Sequence, residues 1–128
     1  MNAILLDTNA VSAFFRGDQR ILAMVSQAQH VYLSTIVLGE LLAGFHLGTQ
    51  FARNRALLDS LLDCSTVAPL PVTTETSDYY GRLFVALRKT GKPIPTNDLW
   101  IAAQTLECGA VLIAADQHFR DVPGLRVE

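Results

Sequence analysis

Ala3-Ile4-Leu5-Leu6-Asp7-Thr8-Asn9 is the stretch on which the reading of the chain turns. Four apolar residues end abruptly in three polar ones. An apolar run of this length reads as a buried strand of a parallel sheet. The polar residues then stand at the strand's carboxyl end, where open α/β sheets place their ligand crevice. Asp7 is either a carboxylate of such a site or simply the cap of the next helix. The remainder of the chain has to decide between them.

The same pattern recurs near the other end. Ala110-Val111-Leu112-Ile113-Ala114-Ala115 is a second strongly apolar run, and it too ends in a carboxylate, Asp116. Val31-Tyr32-Leu33 reads as a short strand. Thr66 to Pro71 is extended and is kept to a sheet edge by Pro69 and Pro71. Leu125-Arg126-Val127 reads as a last short strand, and Gln117-His118-Phe119 as a turn or short helix.

Helical spacing fills the intervals. Asn9 to Phe15 forms a short helix ended by Gly17, and Asp18 caps a second carrying Ile21, Leu22 and Val25. Ser34 or Thr35 caps a third that runs to about Leu47 and stops at Gly48. Phe51 to Asp63 forms a fourth, with Leu57, Leu58, Leu61 and Leu62 inward and the Arg55/Asp59 pair in solvent. Thr74 caps a long helix with Tyr80, Leu83, Phe84 and Leu87 on one face, ended by Gly91. Thr96 or Asn97 caps the last, with Asp98 in its first turn. Short apolar strands alternating with amphipathic helices predict an α/β domain with a mostly parallel sheet of about four to five strands. A chain of 128 residues without linkers or repeats is a single domain, 1–128.

Two further acids stand out against this background. Glu40 lies among Ile36, Val37, Leu41 and Gly44 on the apolar stripe of its helix. A lone buried charge is costly, so Glu40 calls for a cation, a donor network or a raised pKa, unless the helix is rotated to leave it at the stripe's edge in water. Asp98 is favoured by the helix dipole, yet Ile101 and Ala102 follow at i+3 and i+4 and put it at the start of the buried face. Asp7 and Asp116 end parallel strands on one sheet edge, which also receives the starts of the following helices. The four acids can therefore converge. Two carboxylates about 4 Å apart repel by roughly 4 kcal/mol at an effective dielectric of 20. A group of four takes up protons or cations. Oxygen donors without cysteine or histidine select Mg²⁺ or Mn²⁺, ions that activate water and stabilise the leaving oxygen of a phosphodiester. Thr8, Asn9, Asn97 and His118 neighbour these acids as hydrogen-bonding or substrate-contacting candidates. Capping is the competing role for Thr8 and Asn9, and a plain surface position for His118.

These residues carry a resemblance. Leu5-Leu6-Asp7-Thr8-Asn9, Ile36 to Gly44, Asn97-Asp98-Leu99-Trp100-Ile101-Ala102-Ala103 and Asp116-Gln117-His118-Phe119 resemble the four motif blocks of PIN-domain ribonucleases, most closely the VapC-type toxins of bacterial toxin–antitoxin pairs. The blocks stand in the family's order and cover nearly the whole chain. The resemblance implies a three-layer PIN-like fold and Mg²⁺- or Mn²⁺-dependent endonucleolytic cleavage of RNA. It also implies a VapB-type antitoxin partner and a homodimer or larger toxin–antitoxin assembly. By matching position, Asp7, Glu40, Asp98 and Asp116 are the acidic quartet and Thr8 the hydroxyl beside it. Asp7, Glu40 and Asp98 would hold the main metal, with Asp116 completing that site or a second one. The family often has a hydroxyl residue just before the fourth acid, where this chain has Ala114 and Ala115.

Other classes fit less well. A phosphatase of the haloacid-dehalogenase type needs an acid where Asn9 stands, and a receiver domain needs a lysine after a late strand. A catalytically silent PIN-fold binding module and a PIN-like nuclease of structured DNA remain as alternatives. The net charge of −2 does not announce a nucleic-acid binder. Setting aside the four site acids moves −2 to +2, and Arg16, Arg20, Arg82, Arg88, Lys89, Lys92 and Arg120 are available for a basic rim. Leu38 to Phe45 and Leu57 to Leu62 carry surplus apolar residues for a partner to cover. No run is long enough to span a membrane, no signal segment is seen, and Cys64 and Cys108 read as small buried hydrophobes of a reducing cytoplasm.

Overall fold

The computed structural model describes residues 2–128. Strand β1 (Ala3–Leu6) leads into helix α1 (Thr8–Phe15), then α2 (Gln19–Gln27), β2 (His30–Ser34), α3 (Thr35–Leu47) and α4 (Phe51–Leu62). Strand β3 (Val67–Leu70), α5 (Thr74–Lys89), α6 (Thr96–Glu107) and β4 (Val111–Ile113) follow, with a 3-10 turn over Gln117–Asp121. The strands form one sheet in the order β3-β2-β1-β4, all parallel. Ile4 pairs with Val31 on one side and with Val111 on the other.

Burial explains why β1 is uniformly apolar. It is covered on both faces, so Ile4, Leu5 and Leu6 are fully buried, as are Val31, Leu33 and Leu112 in the neighbouring strands. The chain leaves β1 toward β2 on one side and reaches β4 on the other. That reversal creates the crevice at the carboxyl ends of β1 and β4. The backbone N–H of Asp7 donates to the carbonyl of Ile113 (3.2 Å), which ties the two strand ends together.

Several local expectations shift. The segment Leu125-Arg126-Val127 contributes a single parallel bridge, Val127 to Leu112, rather than a full strand. It is held by Leu112 N–H to Arg126 O and Glu128 N–H to Leu112 O, both 2.8 Å. The strand expected over Ala110 to Ala115 narrows to three residues. Thr73, not Thr74, caps α5, through a reciprocal box with Thr76. Pro95 precedes α6, so neither Thr96 nor Asn97 caps it.

Three helix faces also differ from their periodicity. Leu58 and Leu61 are buried but Leu57 is exposed, and Leu83 and Leu87 are buried but Phe84 is 43% exposed. On α3, Val37 and Leu41 are buried, Ile36 and Glu40 lie half-buried at the stripe's edge, and Gly44 is exposed. The expectation that Cys64 is buried fails. It is exposed, Cys108 is half-buried, and both are free thiols. The Arg55–Asp59 pair is a surface contact at 3.1 Å.

Candidate active site

Asp7 occupies the turn between β1 and α1, and it does two things there. Its Oδ1 accepts the Ala10 N–H at 2.7 Å, capping α1. It also lines a cavity of about 260 Å³ together with Thr8, Asn9, Glu40, Asp98, Ile101 and Asp116. The two readings of the opening stretch are thus compatible: the cap orients the carboxylate that faces the cavity.

Each of the other acids arrives from a different element. Glu40 comes from the middle of α3, which packs against both α1 and α6. Its carboxylate is held at both oxygens. Thr8 Oγ1 donates to Oε1 at 2.7 Å, and Asn97 Nδ2 reaches Oε2 at 3.5 Å. Asp98 comes from the first turn of α6. Asp116 follows β4, half exposed at the mouth. Thr8 and Asn97 are therefore neighbours of Glu40 rather than helix caps. Asn9 lines the cavity wall.

His118 does not occupy a plain surface position. The 3-10 turn after Asp116 brings its ring back over the site. Nε2 lies 2.7 Å from Oδ2 of Asp98, and Nδ1 lies 3.4 Å from Oδ1 of Asp116. One donor atom from each of Asp98, Asp116 and His118 falls within 4.8 Å of the others. Sequence reasoning undervalued this residue. The available signal was its spacing of two from Asp116 in a segment too short for a full helix.

The electrostatics follow from burial and like charge. Asp7 is 5% exposed. Desolvation raises its pKa from 3.8 to about 6; the Ala10 N–H opposes this, and Asp98, Asp116 and Glu40 add to it. Asp98 is also raised, again first by desolvation, with His118 acting in the opposite sense. No lysine or arginine forms an ion pair with any of the four acids among the described residues. Four carboxylates around one cavity, with no lysine or arginine paired to them among the described residues, are a donor set suited to a hard divalent ion.

A second cavity, of about 270 Å³, adjoins the first through Asn9. Its walls include Arg16 from the end of α1 and Arg20 from the first turn of α2, the small residues Ala13, Ala114 and Ala115, and the acids Asp18 and Glu128. Asp18 is engaged as the cap of α2, accepting the Ile21 N–H at 3.1 Å. Of the basic residues anticipated as a rim, Arg16 and Arg20 are those placed beside the acids in this way. Arg82 pairs with Asp78 and Lys92 with Asp121 on the surface.

Comparison with known proteins agrees with this architecture. Ribonuclease VapC1 of Haemophilus influenzae strain R2866 is 31% identical over 113 residues, covering 85% of this chain and 83% of that protein. Among solved structures, a chain of VapBC2 from Rickettsia felis, bound to a DNA fragment from their promoter, superposes with a TM-score of 0.86. It has 27% identity and covers 98% of this chain and 97% of its own. VapBC-1 from nontypeable Haemophilus influenzae gives 0.85 at 28% identity, covering 98% of this chain and 96% of that one. The family profile described as PIN domain matches residues 4–125, a span that holds all four acids. With a four-stranded parallel sheet and six helices among the described residues, and with this acid-lined crevice, the chain belongs to the PIN-domain family.

Proposed function

We propose that this protein is a divalent-metal-dependent endoribonuclease, the toxin of a type II toxin–antitoxin pair. The observation that carries the reading is the convergence of Asp7, Glu40, Asp98 and Asp116 on one cavity, with no lysine or arginine paired to them among the described residues. The VapC ribonucleases among its relatives support the same activity and substrate class.

In this reading Asp7, Glu40 and Asp98 hold Mg²⁺ or Mn²⁺, and Asp116 completes the site. The bound ion supplies Lewis acidity, which lowers the pKa of water and offsets charge on the phosphodiester. The protein's own residues do the rest. Asp7 is fixed by the Ala10 N–H, so its free oxygen keeps one direction. Thr8 and Asn97 hold the Glu40 carboxylate from opposite oxygens, which limits its rotation. Ile101 gives the cavity an apolar wall that strengthens the electrostatics of everything facing it. Arg16 and Arg20 offer guanidinium groups to a phosphate adjoining the scissile bond. In-line attack of a water oxygen on phosphorus breaks the P–O3′ bond; the water gives up a proton and the departing O3′ takes one, leaving 5′-phosphate and 3′-hydroxyl ends.

The partners follow from the same reading. Relatives of this fold are solved as VapBC complexes, and we assign a VapB-type antitoxin and a second copy of the chain as partners. Phe84 and Val85 are exposed on α5. Beside them Phe84, Leu87, Ile94 and Leu99 line an apolar cavity of about 440 Å³, a surface suited to such contacts. No helix among the described residues is long and apolar enough to cross a membrane, and a toxin of RNA works in the cytoplasm.

The test is cleavage of RNA by the purified protein with Mg²⁺ or Mn²⁺. Asp7→Asn is expected to abolish it. Undiminished cleavage by that variant, or cleavage by wild type in excess EDTA, overturns the reading.

A further inference from the structure

The structure assigns to His118 the positioning of Asp98: its ring Nε2–H holds one carboxylate oxygen of Asp98 and leaves the other to the acid cavity. This rests on the metal-dependent reading of that cavity and deepens it by naming what fixes one of its ligands. Asp116 keeps its place among the four acids.

Three observations carry it. First, Nε2 of His118 lies 2.7 Å from Oδ2 of Asp98. An ionised carboxylate only accepts, so the ring nitrogen donates. The length is that of a hydrogen bond to a charged group. Among the described residues it is the one hydrogen bond that the Asp98 carboxylate accepts. Second, His118 stands behind the cavity rather than in its wall. Asp98 and Asp116 line the cavity and His118 does not. The neighbouring carboxylates are held in the same manner, Asp7 by the Ala10 N–H and Glu40 by Thr8. His118 supplies to Asp98 what those donors supply to Asp7 and Glu40. Third, the ring is itself held by the core. Phe119 within the 3-10 turn and Val122 just after it are 1% and 3% exposed. The Val122 N–H donates to Phe119 O at 3.2 Å, closing the turn between these anchors. With Phe119 buried, the direction in which residue 118 leaves the turn is fixed.

A carboxylate anchored at one oxygen presents the other in a set direction. The bound ion then meets a ligand that needs no reorientation. Loss of such an outer partner costs about ten- to a hundredfold in metal affinity.

The experiment uses the full chain. Imidazole ¹⁵N spectra of the Mg²⁺-loaded protein are expected to show a hydrogen on Nε2 of His118, the nitrogen that faces Asp98. The chain holds three histidines, and the His118 ring is assigned by its absence from the His118→Gln spectrum. In Mn²⁺ titrations read by electron paramagnetic resonance of the free ion, His118→Leu raises the Kd about tenfold. His118→Gln, whose amide carries an N–H donor, stays within about threefold of wild type. Recovery by glutamine separates the hydrogen bond from mere filling of space, and the spectrum tests the bond in the wild-type chain. A bare Nε2, a His118→Leu Kd equal to that of wild type, or equal losses in the two variants overturns the assignment and leaves the acid site standing. Failure of the wild type to bind Mn²⁺ at millimolar concentration overturns the metal-dependent reading and the assignment with it.

Discussion

Thr8 Oγ1 donates to Glu40 Oε1 at 2.7 Å, joining the first residue of α1 to the middle of α3. The bond holds a half-buried carboxylate at the edge of an apolar stripe. Removing it leaves Glu40 with only the longer contact to Asn97. Thr8→Val is expected to lower stability by about 1 kcal/mol and to reduce RNA cleavage through a weaker Kd for Mn²⁺. Thr8→Ser, which retains the hydroxyl, should restore both. Denaturant unfolding and metal titration of the two variants check this.

Asp7 gives a stability prediction opposite in sign to its effect on activity. Its pKa is raised from 3.8 to about 6 in the fold, so the folded state holds the proton more tightly than the unfolded state. The stabilisation from protonation is complete below the unfolded value and is lost as pH rises from about 4 through about 6. At pH 7 the charged form costs the metal-free protein at most about 3 kcal/mol. Asparagine can still accept the Ala10 N–H as a cap. Asp7→Asn should therefore be inactive yet more stable than wild type at pH 7 without metal, with the difference vanishing near pH 4. Urea denaturation across this pH range measures it.

Metal binding competes with the same proton. A cation binds the ionised carboxylate, so its affinity rises with pH until Asp7 is fully deprotonated. Stabilisation by 1 mM Mn²⁺ should be clearly larger at pH 7 than at pH 5, and EDTA should reverse it at both. Equal thermal shifts at the two pH values would contradict the coupling.

Arg16 and Arg20 line the cavity that adjoins the acids at Asn9. If each meets a phosphate, their loss weakens RNA binding and flattens its salt dependence by about 0.7 per contact for a single strand. Arg16→Ala/Arg20→Ala is expected to raise the Kd of the Asp7→Asn protein for a single-stranded RNA 14-mer about tenfold. The slope of log Kd against log salt should fall by about 1.4. Arg53→Ala/Lys89→Ala, carrying the same change in charge, should alter both far less.

The sheet was legible because all-parallel strands are buried on both faces and leave unbroken apolar runs. Ala3 to Leu6 and the run before Asp116 stand out for that reason. Asp7 and Asp116 were legible because each directly follows such a run, and Glu40 and Asp98 because each stands on or beside an apolar helical stripe; capping, which Asp7 also does, could not be separated from a site role at one position alone. What escaped was side-chain placement across elements. Phe84 and Leu57 fit a helical stripe by spacing, but α5 and α4 present wider apolar faces than the core covers, so both are exposed. Thr73 rather than Thr74 caps α5, because Thr76 reciprocates its bond and one residue of register decides that pairing. His118 was least legible. Its contact with Asp98 spans twenty residues and depends on how a 3-10 turn redirects the chain, which periodicity does not encode.

The margins of the sheet have a consequence for assembly. At one margin β3 carries Pro69, which has no N–H to offer a neighbouring strand. At the other, the main chain of Arg126 to Glu128 already occupies hydrogen-bonding groups of β4. Neither side offers an unobstructed template for strand addition. Strand addition at either margin is thus blocked, and what this chain leaves open to a docking partner is the side chains of its helix surfaces, such as the exposed Phe84 and Val85, where single substitutions change fit. Such surfaces can change without disturbing the sheet that holds the acids.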